Sequence, residues 1–396
     1  MIKHFEGEEV FIEGKKEITV LKLSDDFIND KYRKGEVRIV TEQGRFQLNT
    51  VLGIVESDDY ILDPEFQRRH RWNQEKKSKL IESFIMNVPI PPIFLYEIEY
   101  STYEVMDGLQ RLTAISEFYK DDYALIGLEE WPELNNKRYS ELPTQVKKGI
   151  DRRYLSSMIL LNETAGNDPK EAMRLKQLVF ERINSGGEKL EPQETRNALY
   201  NGPLNKLCIE IARDEYFCEI WQIPWDNVNE SSKELIENNL FKKMEDVELV
   251  LRFFAFRHIS LWESMSLERF LDKFLQEGNL LDQQVLSKLK DLFEETAKLI
   301  YDIFGKNAIF LYRQRDGVWN WYNRPTKVVY DPLFQVVSSL LDKKEILILK
   351  KYSIREAVSG FYQENYEFFG GRNTGKKDVE KRIDLFSKFL KKFLGE

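Results

Sequence analysis

Cysteine is almost absent from this sequence: 396 residues contain only Cys208 and Cys218. Both lie in an apolar, helix-like stretch, without the closely spaced pairs that a zinc centre needs, and read as buried thiols. Histidine is nearly as scarce, with only His4, His70 and His258. No apolar run approaches the length of a membrane span, and the N-terminal Met1-Ile2-Lys3-His4-Phe5-Glu6-Gly7 has no apolar secretion region. A reducing cytoplasm and no membrane partner are the resulting expectations. Also missing are internal repeats, low-complexity tracts, Gly/Ser linkers and long tails of one charge sign. The 59 Lys and Arg are outnumbered by 67 Asp and Glu, for a net charge of -8. That balance excludes a general nucleic-acid coat and confines any DNA contact to a local basic surface.

What is present suffices for a large core: 42% of residues are hydrophobic and 13% aromatic, enough for two domains. Over roughly the first 130 residues, short β-rich runs alternate with polar breaks. Ile18 to Leu23 and Val37 to Val40 read as strands, and Ile93 to Tyr96 with Tyr103 to Met106 as a hairpin. Asn73 to Asn87 reads as a helix capped by Asn73, and a second helix after Asp107-Gly108 would bury Leu112, Ile115 and Phe118. Beyond a boundary near Asn162 to Asp168, helical periodicity takes over. Helices are predicted at Lys170 to Ile183, Pro192 to Tyr200, Lys233 to Arg257, Leu267 to Glu277, Asp282 to Phe304, Pro332 to Leu341, Ile354 to Phe368 and Val379 to Leu394. The fold class is therefore α+β, with a mixed domain over residues 1–165 and a mostly helical domain over residues 166–396.

Three polar clusters stand out. Asp63 to Trp72 puts Arg68, Arg69 and Arg71 just before the Asn73 helix, where guanidinium forks and free helix amides suit an anion. Alone, the segment reads better as a solvated basic stretch, with Phe66 and Trp72 anchoring it to the core. The second cluster, Asp107-Gly108-Leu109-Gln110-Arg111, lies where a strand ends and a helix begins, a recurrent ligand position in α/β proteins. Gly108 would let the backbone approach a phosphate, Gln110 orient a water or base, Arg111 neutralise phosphate charge, and Asp107 hold magnesium or an arginine. An ordinary Asp-Gly turn is the competing reading. In the third cluster, Phe180 to Leu190, a helix stops at Gly186-Gly187. Glu191 to Asn197 follow, and Arg182, Asn184, Glu194, Arg196 and Asn197 crowd polar groups around that turn, with a solvated helix junction as the competing reading.

Together these clusters resemble the N-terminal domain of GmrS/GmrD-type modification-dependent restriction enzymes, grouped with the ParB/sulfiredoxin-like fold. That family's Pro-x-Phe-Gln-Arg-x-Tyr-x-Trp is matched by Pro64 to Trp72, its Asp-Gly-Gln-Gln-Arg by Asp107 to Arg111, and its Phe-x-Arg-x-Asn-x-x-Gly by Phe180 to Gly187. The resemblance implies nucleoside-triphosphate binding, and in several members hydrolysis, in defence against foreign or modified DNA. On that basis Asp107, Gln110 and Arg111 would be catalytic, and Gln67, Arg68, Arg71, Gly108, Arg182 and Asn184 would bind nucleotide. Mg2+ would sit on Asp107. Two positions depart from the pattern: His70 replaces an aromatic residue, and Leu109 replaces the first Gln. If that Gln positions the attacking water, Leu109 separates binding from turnover.

Larger members of the family carry an HNH-type nuclease domain, and the three histidines here form no such pattern. A separate nuclease partner would then supply cleavage. His258, in Phe253 to His258, is expected to be a packed or helix-terminal residue. Gly370 to Lys377 approaches a phosphate-binding loop, yet Lys377 stands where Ser or Thr should hold magnesium. It reads as a basic helix connection, from which Arg372 or Lys376 could still reach a phosphate. The aromatic run Val318 to Pro325 could stack a base but fits core packing better. The functional expectation is a nucleoside-triphosphate-binding defence module. A non-catalytic DNA-binding adaptor and a magnesium-dependent nuclease at Asp107 are the alternatives.

Overall fold

The structure is a computed structural model describing residues 3–12, 24–34, 39–62, 72–161, 169–184, 191–225, 232–369 and 374–395. The chain packs as two compact units, Ile18–Leu190, and Met1–Glu17 together with Glu191–Glu396. In the first, α1 (Asp25–Lys34), β1 (Thr41–Gln47), α2 (Val51–Glu56), β2 (Tyr60–Ile61) and α3 (Gln74–Met86) precede the hairpin of β3 (Ile93–Glu99) and β4 (Thr102–Asp107). Then follow α4 (Leu109–Tyr119), α5 (Thr144–Asp151), β5 (Tyr154–Leu160) and α6 (Pro169–Asn184).

The five strands form one mixed sheet in the order β1-β5-β3-β4-β2. β3 and β4 pair antiparallel, as the alternation of their residues predicts, while β3 with β5 and β4 with β2 are parallel. Helix α3 keeps its predicted limits. The Asn73 side chain accepts from the Lys76 amide at 2.9 Å, and Asn87 ends the helix at φ 60° in the left-handed region. Leu112, Ile115 and Phe118 of α4 are fully buried. They pack into a core that includes Ile81 of α3, Ile93 of β3 and Leu155 of β5.

The outer strand β1 departs from expectation. Ile18 to Leu23 lies outside the described residues, as do Val37 and Arg38, whereas Ile39 and Val40 precede the strand. β1 is instead Thr41–Gln47, largely exposed and paired antiparallel with β5. Its ladder supplies the pairing energy, so its residues carry little apolar alternation. Gly44 sits opposite Ser157, where an added Cβ would lie 2.5 Å from the serine oxygen.

The second unit comprises α7 (Pro192–Leu199), α8 (Pro203–Ile211), α9 (Glu215–Trp221), α10 (Lys233–Glu237), α11 (Asn239–Lys242), α12 (Glu245–Arg257), α13 (Leu267–Gly278) and α14 (Gln283–Phe304). A hairpin of β6 (Phe310–Arg315) and β7 (Val318–Pro325) follows, then α15 (Lys327–Ser338), α16 (Lys344–Leu349), α17 (Lys351–Glu364), α18 (Tyr366–Phe369) and α19 (Lys376–Lys391). The single helix predicted over Lys233 to Arg257 is three. Asn238 is extended and caps the amides of Leu240 and Phe241, and Met244 turns left-handed at φ 55°. α15 begins five residues before Pro332 and runs through it, giving up one internal hydrogen bond. The Ile354 to Phe368 helix is broken at Asn365. Cys208 and Cys218 are buried free thiols, and burial pushes the Cys208 thiol well above its usual range.

The N-terminal residues are fastened to this unit by Glu8. Its carboxylate accepts from Arg257 Nε and Nη2, each at 2.7 Å, and lies 3.1 Å from His258 Nε2. His258, as expected, caps a helix end and is packed, its ring stacked on His4 at 4.2 Å. Burial alone would raise the Glu8 carboxyl, but the hydrogen bonds from His258 and Arg257 and the Arg257 charge hold it at about 2. A folded pKa below the ordinary 4.5 means that this stabilisation is complete above that value and is lost as pH falls towards 2. The stability difference between wild type and Glu8→Gln should therefore shrink on acidification, by on the order of 3 kcal/mol. Denaturant melts across that range would refute this if the difference stayed constant.

No helix among the described residues is long and apolar enough to cross a membrane.

Candidate functional site

The end of β4 and the start of α4 place the second cluster on one short junction. Gly108 caps α4 with φ 98°, a conformation that residues with a side chain rarely adopt. There is also no room for a side chain: a Cβ would stand 2.3 Å from Ile93 Cγ2 and 2.8 Å from Ile93 Cβ. Gly108→Ala must both strain the backbone and displace a fully buried isoleucine. The expected loss is roughly 2 to 5 kcal/mol of stability in the α+β unit. A thermal shift equivalent to less than about 1 kcal/mol would contradict it.

Downstream of that turn, Arg111 reaches back one helical turn. Its Nη2 donates to Asp107 Oδ2 at 2.5 Å and to the Pro92 carbonyl at 3.3 Å. The guanidinium side chain is 13% exposed and the Asp107 side chain 39%. Arg111 Nε is buried and has no hydrogen-bond partner among the described residues. A buried, unused guanidinium donor costs stability unless something satisfies it. Asp107 thus serves first as the counter-charge that keeps Arg111 in place.

Gln110 has a structural partner that its sequence position does not reveal. Its Oε1 accepts from the Trp72 backbone amide at 3.1 Å, and the Lys76 ammonium lies 5.0 Å from the Trp72 ring centroid. On the other side of the first cluster, β2 runs parallel to β4, with Tyr60 opposite Tyr103 and Ile61 opposite Glu104. The chain on both sides of residues 63–71 is therefore anchored beside this junction. Gln67, Arg68 and Arg71 themselves lie outside the described residues. Leu109 is 6% exposed and belongs to the apolar core. It therefore lines the core beneath the junction.

The third cluster divides. α6 is tied to the sheet by Lys176, whose Nζ lies 2.5 Å from Glu104 Oε2 and 5.4 Å from the Tyr96 ring centroid. Lys176 is 7% exposed and sits three strand positions before the Asp107 junction, by way of Glu104. It belongs to none of the three motifs. Its only local signal is a lysine on the otherwise apolar face of a helix. Arg182 is exposed in the last turn of α6, and Asn184 is its final residue. Arg196 and Asn197, by contrast, are fully buried in the helical unit. Arg196 donates to Asp272 at 2.7 Å, Glu248 at 2.9 Å and Gln193 at 3.1 Å, and Glu194 caps α7. They hold helices together.

Two further polar groupings of the helical unit are engaged within that unit. Of the loop at Gly370 to Lys377, residues 370–373 lie outside the described residues, and Lys376 donates to the Ser260 carbonyl at 2.9 Å. His4, Glu8 and His258 are the only cluster among the described residues with metal-ligand spacing. Its carboxylate is already chelated by Arg257, whose charge opposes a cation.

A mixed sheet with a glycine-capped strand-to-helix junction, and a clamped arginine beyond the strand end, defines an α+β domain. Residues 51–201 match the family model described as GmrSD restriction endonuclease, N-terminal domain. The matched segment runs past Leu190 into α7, so it includes Arg196 and Asn197. Restriction or defence is the coarse role that the domain indicates. No curated protein and no solved structure matches the chain.

Proposed function

We propose that the chain is a nucleoside-triphosphate-binding module of a restriction system, with the phosphates held at the Asp107 to Arg111 junction of a ParB/sulfiredoxin-like domain. The observation that carries this reading is the Trp72 to Gln110 hydrogen bond, which ties the end of the first motif to the start of α4. Arg111 with its unsatisfied Nε, the Gly108 backbone and the first amides of α4 would receive phosphate oxygens. Gln67, Arg68 and Arg71 would complete the phosphate cradle, with Arg182 and Asn184 at its border. Magnesium would enter with the triphosphate on Asp107, since this ion commonly binds through one or two carboxylates and the phosphates themselves. It would replace Arg111 as partner of that carboxylate and release the guanidinium to the phosphates.

Hydrolysis is the finer part of the proposal. The core position of Leu109 leaves Gln110 as the polar side chain able to orient a water, although it also holds the Trp72 amide. Cleavage of DNA is assigned to a separate nuclease partner, and the cytoplasm is the proposed site of action. A panel of ATP, GTP, CTP and UTP, assayed for binding and phosphate release with and without DNA and magnesium, tests the whole reading. Binding with DNA-dependent release supports it. Binding without release reduces the chain to a nucleotide-responsive adaptor, and no binding of any nucleotide sinks it. DNA cleavage by the purified chain with magnesium alone would favour the nuclease reading instead.

A further inference from the structure

The β6–β7 hairpin interrupts a half of the chain whose periodicity predicts only helices. Its strands join through Asp316 (φ 52°) and Gly317 (φ 79°), a two-residue turn of the tight hairpin kind. The pairing sorts the side chains onto two faces. On one, Tyr312 packs against Trp319 and Trp321, at 5.6 and 5.1 Å between ring centroids, and the two tryptophans meet Tyr366 and Tyr362 edge-on. That face anchors the hairpin to α17 and α18. The aromatic run is thus partly buried against helices, but it belongs to a surface ribbon, and Trp321 remains 46% exposed.

The opposite face carries Arg313, Arg315, Asn320 and Tyr322, with Arg324 beyond them. The Arg313 guanidinium lies 3.8 Å, and that of Arg324 4.5 Å, from the Tyr322 ring centroid. Two exposed arginines are thereby held by one half-buried tyrosine. Neither has an ion-pair partner among the described residues, and Arg315 has only the weak contact to Asp316 at 3.6 Å. In a chain of net charge -8, three arginines and one aspartate within a single hairpin make a cationic strip.

We infer that this outward face of the β6–β7 ribbon is a contact surface for duplex DNA. Arginine forks match phosphate oxygens, Asn320 can hydrogen-bond a base edge, and a two-stranded ribbon fits a major groove about 12 Å wide. The eight residues of β7 extend roughly 26 Å, long enough to follow several phosphates. A single strand would need open rings for base stacking. Tyr322 is already covered by two guanidiniums, and Trp319 and Trp321 lie on the other face, so the cationic face offers no open ring. The inference deepens the DNA-directed part of the proposed function and requires nothing of the nucleotide site.

The test is fluorescence anisotropy of the full chain with a labelled mixed-sequence duplex of about 24 base pairs, titrated at several salt concentrations. Each phosphate contact contributes roughly fivefold at ~0.15 M salt and about 0.9 to the salt slope. Arg313→Ala with Arg324→Ala should therefore weaken binding by roughly 25-fold and lower the slope by about 2. Arg313→Lys with Arg324→Lys keeps both charges and should keep the slope. Unchanged affinity and slope in the double alanine variant would overturn the assignment. So would absence of wild-type duplex binding at ~50 mM salt, or a loss confined to single-stranded DNA. Nucleotide binding measured on the same variants should be unaltered, so failure of the ribbon and failure of the nucleotide site are seen separately.

Discussion

Arg111→Ala is expected to weaken nucleoside-triphosphate binding by roughly ten- to hundredfold, the worth of one or two hydrogen bonds between a guanidinium and an anion. The expectation follows from where Arg111 stands. It is held by Asp107 and the Pro92 carbonyl, with its Nε left without a partner among the described residues. Truncation frees Asp107, but that carboxylate is 39% exposed and can be hydrated, so the fold should lose little. Isothermal titration together with a melting curve separates the two effects. Wild-type affinity in the variant would remove Arg111 from the site, and a large fall in melting temperature would make it a structural ion pair. Asp107→Asn adds a second readout: if the carboxylate holds magnesium, nucleotide binding in this variant should lose its dependence on the metal.

Arg196→Leu should be far more damaging to stability, with no role in ligand binding. The guanidinium is 1% exposed and bridges Glu248 of α12, Asp272 of α13 and Gln193 of its own helix. Removing it leaves Glu248 buried without its nearest cation. Burial pushes the Glu248 carboxyl up, and the charges of Arg196, Lys327 and Arg252 together outweigh that and hold it below its usual range. Breaking a buried pair from one side costs about 3 to 5 kcal/mol, or roughly 6 to 20 °C in a unit of this size. Scanning calorimetry reads this directly, and a shift below about 2 °C would show that the network contributes nothing. Lowering the pH should narrow the gap between wild type and variant, because protonating Glu248 discards in the native protein what the mutation discards.

Arg111 and Arg196 mark how far the sequence can be read. Both are arginines of the polar clusters, two residues or fewer from a Gln or Asn, and both lie in helices, Arg111 in the first turn of α4 and Arg196 in the last turn of α7. One stands at a strand end with a donor that has no partner among the described residues, and the other closes an ion network between three helices. Local spacing is the same in kind for both. Which face of the helix is covered depends on what packs there, and that is a matter of contacts across 52 and 76 residues. Lys176 carries no motif for the same reason, since its value lies in Glu104, 72 residues away.

Elements that close on themselves are legible. Asn73 and Asn87 bound α3 through hydrogen bonds and a left-handed turn only a few residues long, and the β3–β4 alternation states its own pairing. The Asp316-Gly317 turn between alternating residues carries an equally local signal for the β6–β7 hairpin, which the aromatic content of the segment obscures. β1 has no such signal, because an edge strand is specified by the ladder it completes. The three motifs are readable one by one and in order, as backbone and side-chain chemistry written over a few residues each. What surrounds them depends on the tertiary structure: Gln110 reaches Trp72, α6 joins β4 through a buried lysine, and Arg196 turns inward. Burial and ion pairing between distant residues have no local pattern, because their free energy comes from the water and the alternative partners that folding excludes.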